Sequence, residues 1–220
     1  MQLGNWYVNW DAHQDVLVVY GRLMKEVPGS SYLPVYVART IYASHRLGDV
    51  KSVIERFDAL GELLKGNRGA PGEKRKRHVR RAAQMAEKIL RQIVLEAHSE
   101  AKKLRWKARK RAYSYAKDLY ARYLEVLGLL DAEEAVNNEF LMRFYFAEVL
   151  YDQGLYLEAA REYEGVSATG FVPETEHERR ILEGAAEEAI RAYDKWITRD
   201  ERKHPVKVKG TRPHTIPQVK

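Results

Sequence analysis

Apolar residues recur at intervals of three to four along most of the chain, and sustained apolar/polar alternation is nearly absent. That period predicts amphipathic helices rather than half-buried strands. The valine-rich run VLVVYGRLMKEV, 16 to 27, keeps the helical spacing and stops at Pro28-Gly29, a helix-breaking pair. From Ser31, SYLPVYVARTIYASHRLGDVKSVIERFDALGELL predicts a helix, a turn at Gly48-Asp49, and a second helix with Val50, Val53, Ile54, Phe57 and Leu60 on one face. The stretch FAEVLYDQGLYLEAAREYEGV, 146 to 166, predicts another hairpin, with Gly154 in the turn and Tyr156, Ala159, Ala160 and Tyr163 on the second helix. The two turn sequences, HRLGDV and YDQGLY, look alike.

Between these hairpins, Glu73 to Leu127 contains no Gly or Pro over 55 residues. A single helix of that length would extend ~80 Å at 1.5 Å per residue, so a break is expected. KKLRWKARKRAY is the expected place, because charge is dense there and the apolar stripe thins to alanine. The result would be helices near 75 to 103 and 111 to 128, stopped by Gly128, with Asp131 available as an N-cap for a short turn beyond it. After Pro173, ETEHERRILEGAAEEAIRAYDKWI predicts a further amphipathic helix with an acidic first turn suited to the helix dipole. The organisation expected is helical hairpins over 1–66, a basic linker and long-helix hairpin over 67–130, a hairpin plus following helix over 131–197, and a flexible or extended tail over 198–220 containing Pro205, Pro213 and Pro217.

Hairpins with a small residue near the tight turn, then alanine and an aromatic at fixed offset, carry a solenoid signature that resembles tetratricopeptide repeats. Gly154 and Tyr156 resemble the family's turn, Ala159 its small contact position, Tyr163 the aromatic four residues later and Val166 the closing apolar position. Phe146, Ala147 and Leu150 correspond to the packing positions of the first helix. The earlier hairpin matches at Gly48, Asp49, Val50, Val53, Phe57 and Leu60, and departs at Thr40 and Ser44, where apolar or aromatic residues are expected. The middle hairpin offers Ala116, Tyr120 and Tyr123 behind a first helix longer than a repeat's. Gly48 and Gly154 are 106 positions apart, close to three periods of about 34 residues, so insertions or degeneracy intervene. EVPGSSYLPVYVA and NNEFLMRFYFAEVLYDQGLYLEAAREYEGV are also similar to repeats of bacterial envelope proteins of the outer-membrane assembly and gliding-motility type.

The resemblance implies an all-α solenoid of stacked hairpins, with degenerate repeats and one elongated hairpin. It implies a non-catalytic scaffold whose concave surface, formed by first helices, binds a protein or peptide partner. By position, its groove side chains would be Tyr42, His45 and Arg46 in the early repeat and Phe144, Glu148, Tyr151 and Asp152 in the late one. Tyrosine suits recognition, giving contact area with few rotors and a polar tip. Coverage of the same side chains by a neighbouring repeat is the competing expectation.

Composition narrows the chemistry. At 220 residues and 45% hydrophobic content a packed core is expected. The absence of cysteine excludes disulfides, thiolate metal sites and cysteine nucleophiles, and leaves the compartment open. The start, MQLGNWYVNWDAHQDV, lacks a charged n-region followed by an apolar h-region, and no stretch approaches the ~18 apolar residues of a membrane span. The chain as given is therefore expected to be soluble and not to insert into a membrane. Missing caps on the repeat pattern keep two expectations open: a piece of a longer exported protein, periplasmic or envelope-associated, or otherwise a cytoplasmic chain.

Charge adds a second candidate. Residues 65–111 hold 17 Lys and Arg against four Glu, a balance of +13, so the net charge of +7 leaves −6 for the rest. Lys74, Arg75, Lys76, Arg77, Arg80 and Arg81, with the run 102 to 111, could contact the phosphates of nucleic acid or another polyanion, and Trp106 or Tyr113 could stack. The plainer expectation is a solvated helix face whose long stems cover apolar surface. Nucleic-acid binding stands as the alternative function.

The usual catalytic and cofactor signatures fail. GNRGAPGEK, 66 to 74, is not a phosphate loop: Glu73 separates Gly72 from Lys74, no Ser or Thr follows the lysine, and a helix precedes it. The seven histidines form no local metal spacing, HERRI at 177 lacks the paired-histidine helix pattern, and Asp131, Glu133 and Glu134 have no nucleophile or oxyanion site beside them. No enzyme activity, cofactor or metal is assigned.

Overall fold

In a computed structural model, which describes residues 12–67, 73–130 and 132–203, the helical period of the chain becomes eight α-helices and, among the described residues, no strand. Side chains of residue 67 and of 73–76, 132–137 and 200–203 lie outside that description. The helices are α1 His13–Glu26, α2 Leu33–Arg46, α3 Val50–Asn67, α4 Glu73–Lys103, α5 Trp106–Leu127, α6 Ala132–Asp152, α7 Tyr156–Ala168 and α8 Glu176–Lys203. The protein is all-α.

Packing is local in sequence. Helix α1 packs on α2, and α2 on α3; α4 lies against both α2 and α5; α5 also touches α3 and α6; α7 is held between α6 and α8, and α8 reaches α6. One hydrophobic core runs without interruption from Ala38 on α2 to Ala192 on α8, and a small satellite of Val16, Tyr20 and Ala43 fixes α1 to α2. In α4 the buried positions Ala82, Ala83, Ala86, Leu90, Ile93, Val94, Ala97 and Ala101 follow the helical period. The alanines among them let α5 approach closely with Tyr120, Tyr123 and Leu119, each burial of a large side chain contributing about 1.5–3 kcal/mol.

The two similar turns have one geometry. Gly48 and Gly154 both adopt φ 73°, and in each the following residue's N–H reaches back five positions, from Asp49 to the Ser44 carbonyl and from Leu155 to the Leu150 carbonyl, at 3.0 Å. This is the Schellman helix stop, which favours glycine because it needs a left-handed backbone. Asp49 then starts α3 by accepting the Ser52 N–H at 3.1 Å.

The α4–α5 reversal is built differently. The break expected within 102 to 113 falls at Leu104-Arg105, and α5 starts at Trp106, earlier than position 111. Arg105 is extended, and Trp106 itself takes φ 54°. Thr40 and Ser44, the departures from the repeat pattern, are buried, and the Thr40 hydroxyl donates to the Val37 carbonyl at 2.8 Å. Small polar residues occupy these core positions because α2 is tightly covered there. Helix α8 continues to Lys203, through the first residues of the expected tail; Asp131 and residues 204–220 lie outside the described residues.

Candidate functional site

Helix α4 is covered on three sides. At 100° per residue, Ala83, Leu90 and Ala101 face α5, Glu96 points toward α2, and Glu87 and His98 point toward α6. The remaining side carries Lys88, Arg91, Gln92, Leu95, Glu96 and Ser99, which line a shallow cleft of about 420 Å³. Their spacing repeats three-then-one over successive turns, so they form a continuous stripe.

Each flank is pinned by polar contacts. On the α2 side, His45 places Nε2 3.7 Å from the Glu96 carboxylate and Nδ1 3.1 Å from the Tyr115 hydroxyl, with its ring stacked on Tyr115. Burial holds the His45 pKa below its ordinary value, while Glu96 pulls it back up. On the α6 side, Asn138 Nδ2 donates to the buried Glu87 carboxylate at 3.3 Å, the same oxygen accepts from the Tyr123 hydroxyl at 2.5 Å, and Arg91 Nε forms an ion pair with it at 3.0 Å. Arg91 thus belongs both to the cleft and to the neutralisation of a buried acid. His98 sits beneath this flank, edge-on to Tyr113, Tyr120 and Tyr145.

The seven groove residues implied by the resemblance do not meet in one place. Tyr42, His45 and Arg46 lie along α2, where Tyr42 meets the edge of the His13 ring at 6.0 Å and His45 approaches Glu96 at the border of the cleft; Lys103, and more weakly Arg46 on the last turn, hold the Glu100 carboxyl below its ordinary range. The late set faces α7, α8 and the start of α5. Phe144 packs edge-on to Tyr163 at 5.7 Å, Glu148 accepts the Tyr163 hydroxyl proton, and Tyr151 meets Tyr156 at 5.2 Å under the Lys195 ammonium, 4.7 Å from its ring centre. Asp152 accepts from Arg109 Nη2 at 3.1 Å, and burial together with Asp152 pushes the neighbouring Tyr113 up to about 12, against the pull of Arg109. Phe144, Glu148 and Tyr151 are half-buried against these neighbouring helices.

The basic segment is also divided. Arg77, Arg80 and Arg81 are on the N-terminal part of α4, where Lys74, Arg75 and Lys76 have side chains outside the described residues. The run from Lys102 to Arg111 surrounds the other end. Arg77 and Lys102 are separated by about 38 Å of helix at 1.5 Å per residue. The cleft residues of α4 carry little signal in the sequence, because the apolar period directs attention to the alanine stripe behind them, while the outer side shows Met85 and Leu95 among polar residues.

Among the described residues, no cluster of three metal-ligating side chains occurs, and no helix is long and apolar enough to cross a membrane. No protein-family model and no curated protein sequence matches this chain.

Proposed function

We infer that the protein is a non-catalytic interaction scaffold, a tetratricopeptide-like stack of hairpins that receives a partner segment on the concave side formed by its first helices. The hairpins are α2/α3, α4/α5 and α6/α7, and three features support the stacking: first helices α2 and α4 lie side by side, second helices α3 and α5 do the same, and the Gly48 and Gly154 turns share one geometry. The observation that carries the reading is the uncovered stripe on α4, flanked by His45 of α2 and Asn138 of α6. Leu95 offers an apolar anchor, while Lys88 and Glu96 of opposite sign set the register of what docks. The stripe belongs to a helix whose opposite side is core, so binding orders little of the scaffold itself. Similarity of its hairpins to envelope-protein repeats makes an envelope assembly the proposed setting.

Site-specific photo-crosslinking tests this in the native cell. A photoreactive residue at Gln92 should give a discrete adduct with a protein partner, lost when Leu95→Glu is added, whereas the same group at Ser114 on exposed α5 surface should not. Identical adducts from both positions would sink the assignment. Arg91 is a poor choice for this test, because its loss also disturbs Glu87.

A second reading, polyanion binding through 65–111, is favoured by one observation: no acidic residue interrupts Lys102 to Arg111, and those side chains are exposed. Nucleic-acid binding would weaken steeply with salt, in proportion to the phosphates neutralised; a cleft anchored by Leu95 would respond modestly.

A further inference from the structure

The α4–α5 reversal exposes what the fold elsewhere hides. Trp106 is 90% exposed and Leu104 40% exposed, and Trp106 holds φ 54°, a left-handed conformation uncommon for a bulky side chain. Exposed Lys102, Lys103, Arg105, Lys107, Lys110 and Arg111 surround the pair, and no acidic residue occurs from Ala101 to Lys117.

The neighbouring turns lie along the same edge. Arg109 near the start of α5 bonds Asp152, Gln153 donates to the Tyr113 carbonyl at 2.8 Å, and His45 at the end of α2 lies 3.7 Å from the Glu96 carboxylate and 3.1 Å from the Tyr115 hydroxyl, so the reversals after α2, α4 and α6 adjoin one another. Leu47 and Val50, at the first of these, are also exposed. The acidic groups of the edge are engaged: Asp49 with the Ser52 N–H, Glu100 with Lys103 at 2.8 Å and Asp152 with Arg109. What remains facing outward is apolar at its points and cationic around them.

We propose that this edge, led by Leu104 and Trp106, docks the protein peripherally on an anionic lipid surface. Trp favours the headgroup level of a bilayer, and clustered Lys and Arg are drawn to anionic lipids. Leu104 decides against nucleic acid: a strand would find cations and one stacking ring, but an exposed aliphatic side chain beside them offers no hydrogen bond to phosphate or base. An exposed reversal led by two apolar side chains suits a flat surface better than it would cradle a strand. Docking here leaves the α4 cleft, on the side of the helix, open to a partner, so the two sites are compatible and independent.

Vesicle flotation of the full chain tests the proposal, using phosphatidylcholine alone and with roughly 30% phosphatidylserine. The protein should float with the anionic vesicles and not with the neutral ones. Leu104→Ser/Trp106→Ser should weaken that binding about tenfold or more, and Lys107→Gln or Lys110→Gln about fivefold each. Arg77→Gln/Arg81→Gln should leave it nearly unchanged, because that pair lies several Debye lengths away. Both turn residues are exposed, and an unaltered helical circular dichroism spectrum and unfolding midpoint would show that the double variant still folds. Absence of binding dependent on phosphatidylserine, or equal loss from the Arg77/Arg81 variant, would overturn the proposal. So would tip-dependent binding of an oligonucleotide at physiological salt without any binding to vesicles.

Discussion

His98 Nδ1 lies 3.0 Å from the hydroxyl of Tyr120, in the buried junction of α4, α5 and α6. Burial is the main cause that pushes the His98 pKa down to about 4, Lys102 adding in the same direction and Asp152 opposing it. The folded value is thus below the ordinary one of 6.5, so the folded chain resists protonation. Above pH 6.5 the imidazole is neutral folded or unfolded and contributes no pH dependence; as pH falls from there toward 4, the unfolded chain takes up the proton and the folded chain does not. Stability is therefore lost across that window, by up to about 3 kcal/mol from this residue. His45 shifts in the same direction and adds to the slope. Urea unfolding midpoints between about pH 7.5 and 4.5 should decline less steeply in His98→Asn, which keeps a polar group for Tyr120 but does not titrate. A slope equal to that of the wild type would show that the ring is not held neutral.

One oxygen of the Glu87 carboxylate gathers two hydrogen-bond donors, Tyr123 and Asn138, and the Arg91 cation, and their contributions should be coupled. Tyr123 is fully buried, so Tyr123→Phe removes a donor that water cannot replace and should cost about 1–3 kcal/mol. Arg91 is one-third exposed, and its truncation to Ala lets water reach part of the acid. That cost should fall below the roughly 3–5 kcal/mol of breaking a fully buried pair. A double-mutant cycle between Tyr123→Phe and Arg91→Ala should show a coupling of about 1 kcal/mol, because the hydrogen bond and the ion pair each matter more to the buried acid when the other is gone. Additive losses would contradict a shared role in satisfying Glu87.

Helical class, hairpin turns and core positions were legible because they are set by local rules. Gly48 and Gly154 announce a left-handed helix stop, and Phe146, Ala147, Leu150, Ala159 and Tyr163 lie at a spacing that must face inward; all five are buried. The break near Lys103 was legible from charge density, but the residue that takes the unusual backbone, Trp106, was not, since no glycine marks it. Surfaces were harder. Whether Tyr151 faces a partner or a neighbour depends on Lys195, 44 positions later, and whether Leu95 is open depends on how α2 and α6 flank α4. Long-range packing decides both, and a helical period records only which side of its own helix a residue occupies.

Phe171 joins the α7–α8 connection to the core. Its ring stacks on Phe140 at 4.2 Å between centres, covering a residue that is almost wholly buried. Phe171→Ala would expose Phe140 and free the connection, at a cost of about 2–3 kcal/mol, below that of removing a fully buried Phe because Phe171 is only half-buried. Limited proteolysis should then cut between Gly170 and Thr175 several-fold faster than in the wild type. Unchanged cleavage would mean that the helices, and not the ring, hold this segment.

Gly48 and Gly154 allow the backbone cost of the shared turn to be measured twice in one protein. At φ 73° an added Cβ is strained at either position, by about 1–2 kcal/mol. Around Gly48 the Cβ would meet nothing within 4 Å, so Gly48→Ala isolates the backbone term; at Gly154 it would lie 3.1 Å from Arg199 Nη1, which donates to the Gly154 carbonyl at 2.8 Å. Arg199 is exposed and its end can swing away, so Gly154→Ala should exceed Gly48→Ala by no more than about 0.5 kcal/mol. Asparagine tolerates the left-handed region better than alanine, and Gly48→Asn should recover part of the loss. Chemical denaturation of the three variants makes the comparison. A neutral Gly48→Ala, or an asparagine as costly as the alanine, would show that this helix stop does not depend on the left-handed backbone.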